Sequence, residues 1–219
     1  MIINQSDISA MEQRYRSTFI NSLAGIKQVV LVGTRSVDRQ SNLAIFNSLI
    51  HIGANPALYG ILFRPDTVRR DTLRNILETG QYTLNYIQSC DFEKAHQTSA
   101  KYESNISEFR ETGFTGQYSE PFIAPFVKEA VVKIGMKFEE RIDLKINGTI
   151  LVIGSIQHID INENIVGKDG FVALAGENVL ACSGLDAYYS VNFLGRLSYA
   201  KPEKWPEKLQ PEKPDLNNR

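Results

Sequence analysis

An alternating apolar pattern over residues 132–156 constrains the fold of this chain more than any other feature of the sequence. The apolar side chains fall at even-numbered positions: Val132, Ile134, Met136, Phe138, Ile142, Leu144 and Ile146. A period of two is typical of a strand with one buried face. Asn147 and Gly148 follow, the pair favoured by a type I′ turn, and residues 149–156 are apolar again. The pattern therefore predicts a long antiparallel hairpin.

Several other segments have the composition of strands and are separated by turn residues. Strand-like composition is found at residues 28–34, 41–48, 57–63 and 82–87. Asn55 and Pro56 mark a turn, because the residue before proline is pushed away from helical geometry. Strands outnumber helices, and short turns join most of them. The sequence therefore predicts a mainly β protein built as a closed or nearly closed antiparallel barrel.

Only short helices are expected. Asp71 is expected to cap an amphipathic helix that ends at Gly80. The polar stretch 91–113 is expected to carry one or two further helices. Phe109, and Phe114 just beyond the stretch, are expected to anchor it to the core.

Residues 1–200 are expected to form a single domain, because a chain of 219 residues is about the size of one β-barrel domain. The part after residue 167 is rich in turn residues and closes with an aromatic run at 185–199. From 201 to 219 proline, lysine and glutamate replace the apolar pattern. This tail is expected to be disordered or to lie as an arm over a second subunit.

Composition argues against several classes of protein. The formal net charge is −1, so no long-range field attracts nucleic acid or an anionic membrane. The N-terminus lacks the apolar core of a signal peptide, and no run approaches the ~18 apolar residues of a membrane span. The two cysteines, Cys90 and Cys182, are expected to be buried thiols of an intracellular protein. We therefore expect a cytoplasmic protein.

The short motifs of several large enzyme classes are missing from the sequence. It contains no GxGxxG, Walker, HExxH, CxxC or GxSxG pattern, which argues against a Rossmann dinucleotide domain. His51, His96 and His158 are scattered along the chain. A lone histidine among apolar strand residues, such as His158, is more often structural than a ligand. No metal site is predicted.

One group of basic residues points to an anion site. Arg64, Arg69 and Arg70 lie between a predicted strand and a predicted helix, beside Thr67 and Thr72. A helix N-terminus offers unpaired N–H groups to a phosphate, and arginine adds bidentate hydrogen bonds. A capped helix next to a solvated basic loop would have the same spacing. Spacing alone therefore leaves both interpretations open.

The predicted strand 41–48 carries small polar side chains in an otherwise apolar segment. These are Ser41, Asn42, Asn47 and Ser48. Buried Asn and Ser side chains need hydrogen-bond partners, which a polar ligand lying along the strand would supply. The alternative, which the segment by itself favours, is a half-exposed strand whose polar residues face water.

Together these segments resemble the flavin reductase-like family of FMN-binding split β-barrels. The resemblance runs from about residue 26 to residue 202 and is carried by SNLAIFNS, NPALYGILFRPDTVRRDTLRNILETGQYTLNYI, and VKIGMKFEE followed by NGTILVIGSI. No single motif is diagnostic, but the order of strand, polar strand, Asn-Pro turn, strand, basic loop, Asp-Thr helix and strand is fairly specific. The resemblance implies an antiparallel split β-barrel of Greek-key type with a few short peripheral helices.

The family binds FMN at a homodimer interface, and the resemblance therefore implies roles for the polar segments. The residues implied for the phosphate are Arg69, Arg70 and Thr72, with Arg64 and Thr67 assisting. Those implied for the ribityl chain and the isoalloxazine edge are Asn42, Phe46, Asn47 and Ser48. Ser99 and Lys101 are further candidates, because AHQTSAK looks like the loop that reaches over the flavin.

Two positions depart from the family pattern. Family members often have a lysine before the phenylalanine where this chain has Glu108 and Phe109, so no cofactor contact is expected from position 108. The basic loop has paired arginines where a lysine is frequent. That change keeps the charge and favours planar phosphate geometry.

The function implied is that of an FMN-binding oxidoreductase, which passes electrons from NADH or NADPH through FMN to an unknown acceptor. The alternative is a flavoredoxin-type electron-transfer protein reduced by a protein partner. A third hypothesis is a flavin-free barrel that binds nucleic acid. The near-zero net charge and the lack of interleaved basic and aromatic residues argue against it. No catalytic side chain is predicted, and a homodimer is expected from the family and from the aromatic run.

Overall fold

A computed structural model describes residues 1–210 of the chain. Its helices are short: α1 (Gln5–Ala10), α2 (Gln13–Leu23), α3 (Asp71–Thr79), α4 (Phe92–Gln97) and α5 (Glu108–Thr112). Single 3₁₀ turns lie at Ser89–Asp91, Glu163–Ile165 and Leu174–Glu177. None of the helices within residues 1–210 has the length and apolarity needed to cross a membrane.

Strands make up most of the regular structure. In chain order they are β1 (Ile26–Gln28), β2 (Val30–Arg35), β3 (Ser41–Phe46), β4 (Leu49–Ala54), β5 (Ala57–Phe63), β6 (Gln81–Tyr86), β7 (Gly116–Gln117), β8 (Phe126–Val127), β9 (Val132–Leu144), β10 (Thr149–Ile161), β11 (Ala181–Ser183), β12 (Ala187–Tyr189), β13 (Arg196–Leu197) and β14 (Lys208–Leu209). The prediction of a mainly β protein with a few short helices is confirmed.

The main sheet has seven strands in the order β3-β2-β6-β9-β10-β5-β4, and every neighbouring pair is antiparallel. Its two outer strands, β3 and β4, follow each other in the chain and are joined only by Asn47 and Ser48. Two residues span less than about 10 Å, so the sheet has to curl until its edges meet at this corner. Within residues 1–210 no hydrogen-bonded ladder pairs β3 with β4, so hydrogen bonds do not close the sheet into a complete barrel.

Two apolar clusters lie on opposite faces of β2. The first contains Val30 and Val32 together with Leu73 and Ile76 of α3. The second contains Leu31 and residues from α4, α5 and the segment before β11, namely Ala95, Phe109 and Leu180. A strand buried on both faces has a continuous apolar sequence, as β2 does. Helix α3 therefore covers one face, and α4 and α5 cover the other.

The predicted hairpin is confirmed as β9 and β10, but the predicted turn is wrong. Four residues, 145–148, separate the strands, and of Asn147 and Gly148 only Gly148 has a positive φ, of 73°. A type I′ turn would need positive φ at both. The pairing of β9 with β10 also shifts at Glu139, because Phe138 pairs with Gly154 and Glu140 with Ile153. Beyond this shift the opposite set of β9 side chains faces inward.

The predicted Asp71 cap is also wrong. Asp71 is the first helical residue, and the N-cap position belongs to Arg70, whose side chain makes no capping bond. The Asp71 carboxylate instead pairs with Arg69 at 2.8 Å. The helix ends as predicted at Gly80, which has a φ of 71°.

The helices, thiols and C-terminal residues agree with the sequence predictions only in part. Helices α4 and α5 lie in the stretch 91–113, and Phe109 and Phe114 are buried, as predicted. The predicted strand 41–48 ends at Phe46, and β4, α1 and α2 were not predicted. The prediction of two buried thiols is wrong for Cys90, which is exposed, and correct for Cys182. Of the predicted tail, residues 201–210 include β14, while residues 211–219 lie outside the described part.

Candidate functional site

Strand β3 and the residues just after it contact the two elements that flank the basic loop, the end of β5 and the start of α3. Asn42 Nδ2 donates a hydrogen bond to Thr72 Oγ1 at 3.0 Å. The rings of Phe46 and Phe63 meet edge to face with centroids 4.9 Å apart. Ser48 Oγ donates to the Leu62 carbonyl at 2.8 Å. Asn42 near the start of β3 and Phe46 at its end therefore both lie beside elements that flank the basic loop.

A buried polar cluster joins β2, β3 and α3. Asn42 and Asn75 both donate to Thr34 Oγ1, at 3.2 and 3.1 Å, and Thr72 completes the cluster. All four side chains are buried, yet Asn75 Oδ1 has no hydrogen-bond partner. An acceptor buried without a donor costs about 1–3 kcal/mol, so the cluster is suited to a ligand that brings a hydroxyl or amide hydrogen.

A cleft of about 280 Å³ opens above the polar cluster. Its walls are the β2–β3 turn, the start of α3 and the segment before α5. The residues that line it include Ser36, Asp38, Gln40, Asn42, Arg69, Asp71, Arg74, Asn75, Glu103, Asn105 and Glu108. The cleft therefore contains two predicted cofactor residues, Asn42 and Arg69, beside the unpartnered Asn75 acceptor.

The charges of the cleft are divided between its walls. Arg69 is paired with Asp71 on the α3 side. On the opposite side, Glu103 has no hydrogen-bond or ion-pair partner for its carboxylate among residues 1–210, and the same is true of Asp38 in the β2–β3 turn. Burial raises the pKa of Glu108, whose carboxylate accepts a hydrogen bond from the Leu43 N–H. An anion is therefore favoured only near the basic loop.

Within the basic loop several donors are uncommitted. Arg70 Nε donates to the Pro65 carbonyl at 3.1 Å, which holds the half-buried guanidinium against the loop. Arg64 and Thr67 are exposed, and their side chains make no hydrogen bond within residues 1–210. The first turn of α3 receives no cap from its N-cap side chain. Unpaired N–H groups and nearby arginines are what a phosphate needs at a helix start.

The other end of β3 contacts the β11–β12 hairpin. Asn47 Nδ2 donates to the Gly184 carbonyl at 2.7 Å. Near this contact, His96 Nδ1 of α4 lies 2.8 Å from the Tyr188 hydroxyl of β12. Ser99 and Lys101 follow α4 and are exposed; within residues 1–210 no hydrogen bond or ion pair joins their side chains to β3.

Some residues of this region were not singled out from the sequence. Thr34 stands at the end of an apolar strand, and Asn75 lies three residues after Thr72 on the buried face of α3. A polar residue at the spacing of buried helix positions was the signal that could have found Asn75. Glu108 was noted only as a departure from the family. Tyr188 was included only as part of the aromatic run at 185–199, with no role of its own.

Among residues 1–210, no group of three or more His, Cys, Asp and Glu side chains is arranged to hold a metal ion. The donors and acceptors of the region are instead amides, hydroxyls, guanidinium groups and backbone N–H groups. These groups recognise phosphate, hydroxyl and carbonyl groups of organic ligands.

Comparison with known proteins identifies related chains. A family model described as flavin reductase like domain matches residues 26–175, which is more than half of the chain. The structure of a protein from Shewanella frigidimarina NCIMB 400, provisionally assigned as a flavin reductase with a split barrel domain, is 46% identical with a TM-score of 0.88. That match covers 91% of this chain and 100% of the other.

Two less similar structures share the fold. Nitrilotriacetate monooxygenase component B from Bacillus cereus is 21% identical with a TM-score of 0.79, and the match covers 90% of this chain and 98% of the other. Flavoredoxin of Desulfovibrio vulgaris (Miyazaki F) is 22% identical with a TM-score of 0.66, and the match covers 78% of this chain and 90% of the other.

Proposed function

Because the chain belongs to the flavin reductase like domain family, we propose that it is an FMN-binding oxidoreductase that takes electrons from NADH or NADPH. The observation that carries the proposal is that β3 contacts both elements that flank the basic loop, through the Asn42–Thr72 hydrogen bond to α3 and the Phe46–Phe63 contact with β5. One elongated ligand along β3 would contact the strand and the basic loop at once. The final electron acceptor is left open.

The start of α3 fits the phosphate of FMN. Arg70 keeps its terminal guanidinium nitrogens uncommitted while its Nε is held by the loop. Arg69 stands beside the uncapped first turn, and Thr72 still has its own hydroxyl hydrogen to donate. Arg64 and Thr67 are near enough in sequence to add further contacts. The carboxylates of Asp38 and Glu103 line the same cleft and oppose an anion there, so the phosphate is proposed to lie on the α3 side.

The buried polar cluster fits the ribityl chain. Asn75 Oδ1 lacks a donor, and a ribityl hydroxyl would supply one. Asn42 of β3 donates to the same Thr34 hydroxyl as Asn75, so a ligand bonded to Asn75 would also lie beside β3. Phe46, Asn47 and Ser48, at the far end of β3, are proposed to contact the isoalloxazine edge. Ser99 and Lys101, which follow α4, are proposed to contact the flavin from the loop that would reach over it.

When bound, the flavin supplies the redox chemistry, and the side chains bind and orient. Arg69, Arg70 and the N–H groups of α3 would fix one end of the ligand. Asn47 is held by the Gly184 carbonyl, so its amide is preorganised at the other end. The two cores keep water from the sheet behind the ligand. No side chain is assigned as a proton donor or acceptor for the reaction.

The proposal includes the assembly and location of the protein. We propose a homodimer, supported by the large exposed side chains near the C-terminus, among them Leu194, Tyr199 and Trp205. The curled seven-stranded sheet supports a split barrel of Greek-key type. We further propose residues 1–200 as one domain and 201–219 as a C-terminal tail. Cys90 and Cys182 are both free thiols, which supports a reducing, cytoplasmic compartment.

The visible absorption spectrum of the purified protein tests this function. The protein is mixed with FMN, dialysed and then titrated with NADH or NADPH without oxygen. Retained flavin bands that bleach with either nicotinamide are the expected result. Flavin that is retained but reduced by neither nicotinamide would favour the flavoredoxin-type alternative, in which a protein supplies the electrons. A colourless protein after dialysis and no saturable FMN binding would contradict the proposal.

A further inference from the structure

The ring of Tyr188 is held against α4, close to the end of β3. Its hydroxyl oxygen lies 2.8 Å from His96 Nδ1. The two rings are nearly perpendicular, at 88°, with centroids 5.7 Å apart. The ring of Phe92, one turn earlier in α4, is 5.8 Å from the same tyrosine ring. These contacts give Tyr188 one orientation, with its hydroxyl directed at the imidazole.

The Tyr188 hydroxyl keeps its proton at neutral pH. Burial, followed by the nearby Cys182 and Asp186, raises the pKa of Tyr188 to about 12. Within residues 1–210 the hydroxyl has no hydrogen-bond partner other than the imidazole. The distance fits either direction of donation, because a phenol oxygen can also accept a hydrogen bond. Where the phenol donates to Nδ1, a neutral imidazole carries its own hydrogen on Nε2.

The His96–Tyr188 pair stands near the residues proposed for the isoalloxazine edge. Tyr188 is on the hairpin whose turn carbonyl, Gly184, accepts the hydrogen bond from Asn47. Ala95, next to His96, packs in the second apolar cluster, which also contains side chains of β3. Both β12 and α4 are therefore anchored to β3 at or near the same corner.

We propose that Tyr188 donates to His96 Nδ1 as a positioning residue, and that His96 binds the nicotinamide of the electron donor through its Nε2–H. The proposal rests on the function proposed above. The His96 side chain is exposed, and its Nε2 has no hydrogen-bond partner within residues 1–210. The carboxamide oxygen of a nicotinamide is a neutral acceptor that matches such a donor. In this role His96 neither gains nor loses a proton.

The tautomer can be measured on flavin-free protein by ¹⁵N NMR of the histidine ring. We expect the wild type to hold the Nε2–H form at a pH where the ring is neutral. Tyr188→Phe should give a mixture of both tautomers, because the donor to Nδ1 is lost. Tyr189→Phe, which changes the neighbouring tyrosine, should leave the wild-type signal. An Nδ1–H tautomer in the wild type would overturn the assignment of Tyr188.

Binding of the nicotinamide is measured by anaerobic flavin reduction at increasing NADH or NADPH, with FMN affinity titrated separately. His96→Leu and Tyr188→Phe should each raise the half-saturating nicotinamide concentration by about 3- to 10-fold, the effect of one lost hydrogen bond. The limiting rate and the FMN affinity should stay close to wild type. The double variant should be no worse than His96→Leu, since Tyr188 acts through His96.

His51→Leu is the matched control, because His51 also lies beside a tyrosine ring, with centroids 6.2 Å apart, but shares no hydrogen bond with it. An unchanged half-saturating concentration in His96→Leu, with flavin reduced as in the wild type, would overturn this inference alone. A parallel loss of FMN affinity would overturn it too, because His96 would then contact the flavin. A wild-type flavin that neither nicotinamide reduces would overturn both this inference and the proposed reductase.

Discussion

The carboxylate of Glu108 accepts a hydrogen bond from the backbone N–H of Leu43 at 3.0 Å, which joins α5 to the outer strand β3. Leu43 is fully buried, and its N–H belongs to a sheet edge. An edge strand exposes unpaired donors unless another element covers them. Glu108 therefore holds in place the strand that carries two of the candidate cofactor residues, Asn42 and Phe46. This role explains why the chain tolerates an acidic residue at the margin of a proposed phosphate site.

Removing this acceptor should destabilise the fold. Glu108→Ala leaves a buried N–H without a partner, and we expect the free energy of unfolding to fall by about 1–3 kcal/mol. Urea unfolding at pH 7 measures the change. Glu103→Ala, which alters an exposed carboxylate on the segment before α5, should stay within about 0.5 kcal/mol of the wild type. Equal losses in both variants would contradict the assigned role.

The pH dependence of stability should report the burial of Glu108. Burial raises its folded pKa above the ordinary value of 4.5, so the folded state holds the proton more tightly than the unfolded chain. Stability from this group is therefore fully present below pH 4.5 and is lost as pH rises through the raised pKa. Glu108→Gln keeps an acceptor but does not titrate. As the pH rises through that window, the unfolding free energy of the wild type should fall relative to that of Glu108→Gln. Parallel curves for the two proteins would contradict the raised pKa of Glu108.

The sequence predicted the sheet better than it predicted the site. Alternation and β-branched runs depend on burial of one or both faces, so β2, β5, β6 and the β9–β10 hairpin were found. Strand β4 was missed because it is an outer strand whose Ile50 and Ile52 are each 41% exposed. Helices α1 and α2 bury no residue, so no core-facing pattern marked them.

At the candidate site, the sequence identified residues by type and order but not their contacts. It could not show that the Asn42 amide is bonded to Thr34 and Thr72, or that Asn75 is left without a donor. Those contacts join residues far apart in the chain, which local patterns do not report. The Asp71 cap failed for a local reason, since the Asp71 carboxylate pairs with Arg69, two residues earlier in the chain.

Arg70→Ala should weaken FMN binding far more than riboflavin binding, because only FMN carries a phosphate. A charge-assisted hydrogen bond contributes about 1.5–3 kcal/mol, so the FMN dissociation constant should rise by about 10- to 100-fold. Fluorescence titration with both flavins measures the two constants. Arg110→Ala, an exposed arginine of α5 outside the cleft, should change neither. Similar losses for FMN and riboflavin would remove the basic loop from the phosphate site.

Gly33→Ala should be among the most damaging small substitutions in the sheet. A Cβ at Gly33 would overlap the Pro125 carbonyl oxygen and the Thr83 hydroxyl, which are hydrogen-bonded to each other at 2.7 Å. The segment before β8 crosses the sheet at this point, so relief requires a backbone shift. We expect a loss of about 3 kcal/mol in urea unfolding.

Gly176→Ala provides the control for Gly33→Ala, because its Cβ would meet open space and its φ is not in the left-handed region. That variant should stay within about 1 kcal/mol of the wild type. If Gly33→Ala proved equally mild, the close crossing of the segment before β8 over β2 would be wrong.

The segment around the β13–β14 pair should lie in a homodimer interface. Leu194, Tyr199 and Trp205 are 96%, 89% and 89% exposed, a concentration of large apolar side chains that monomers rarely leave in water. Light scattering should give twice the chain mass of 24.6 kDa, and replacing all three residues with Asp should give the single mass. Ile146→Asp, at an equally exposed site in the β9–β10 turn, should remain dimeric. If Ile146→Asp instead gave monomers while the triple variant stayed dimeric, the interface would lie at the hairpin tip.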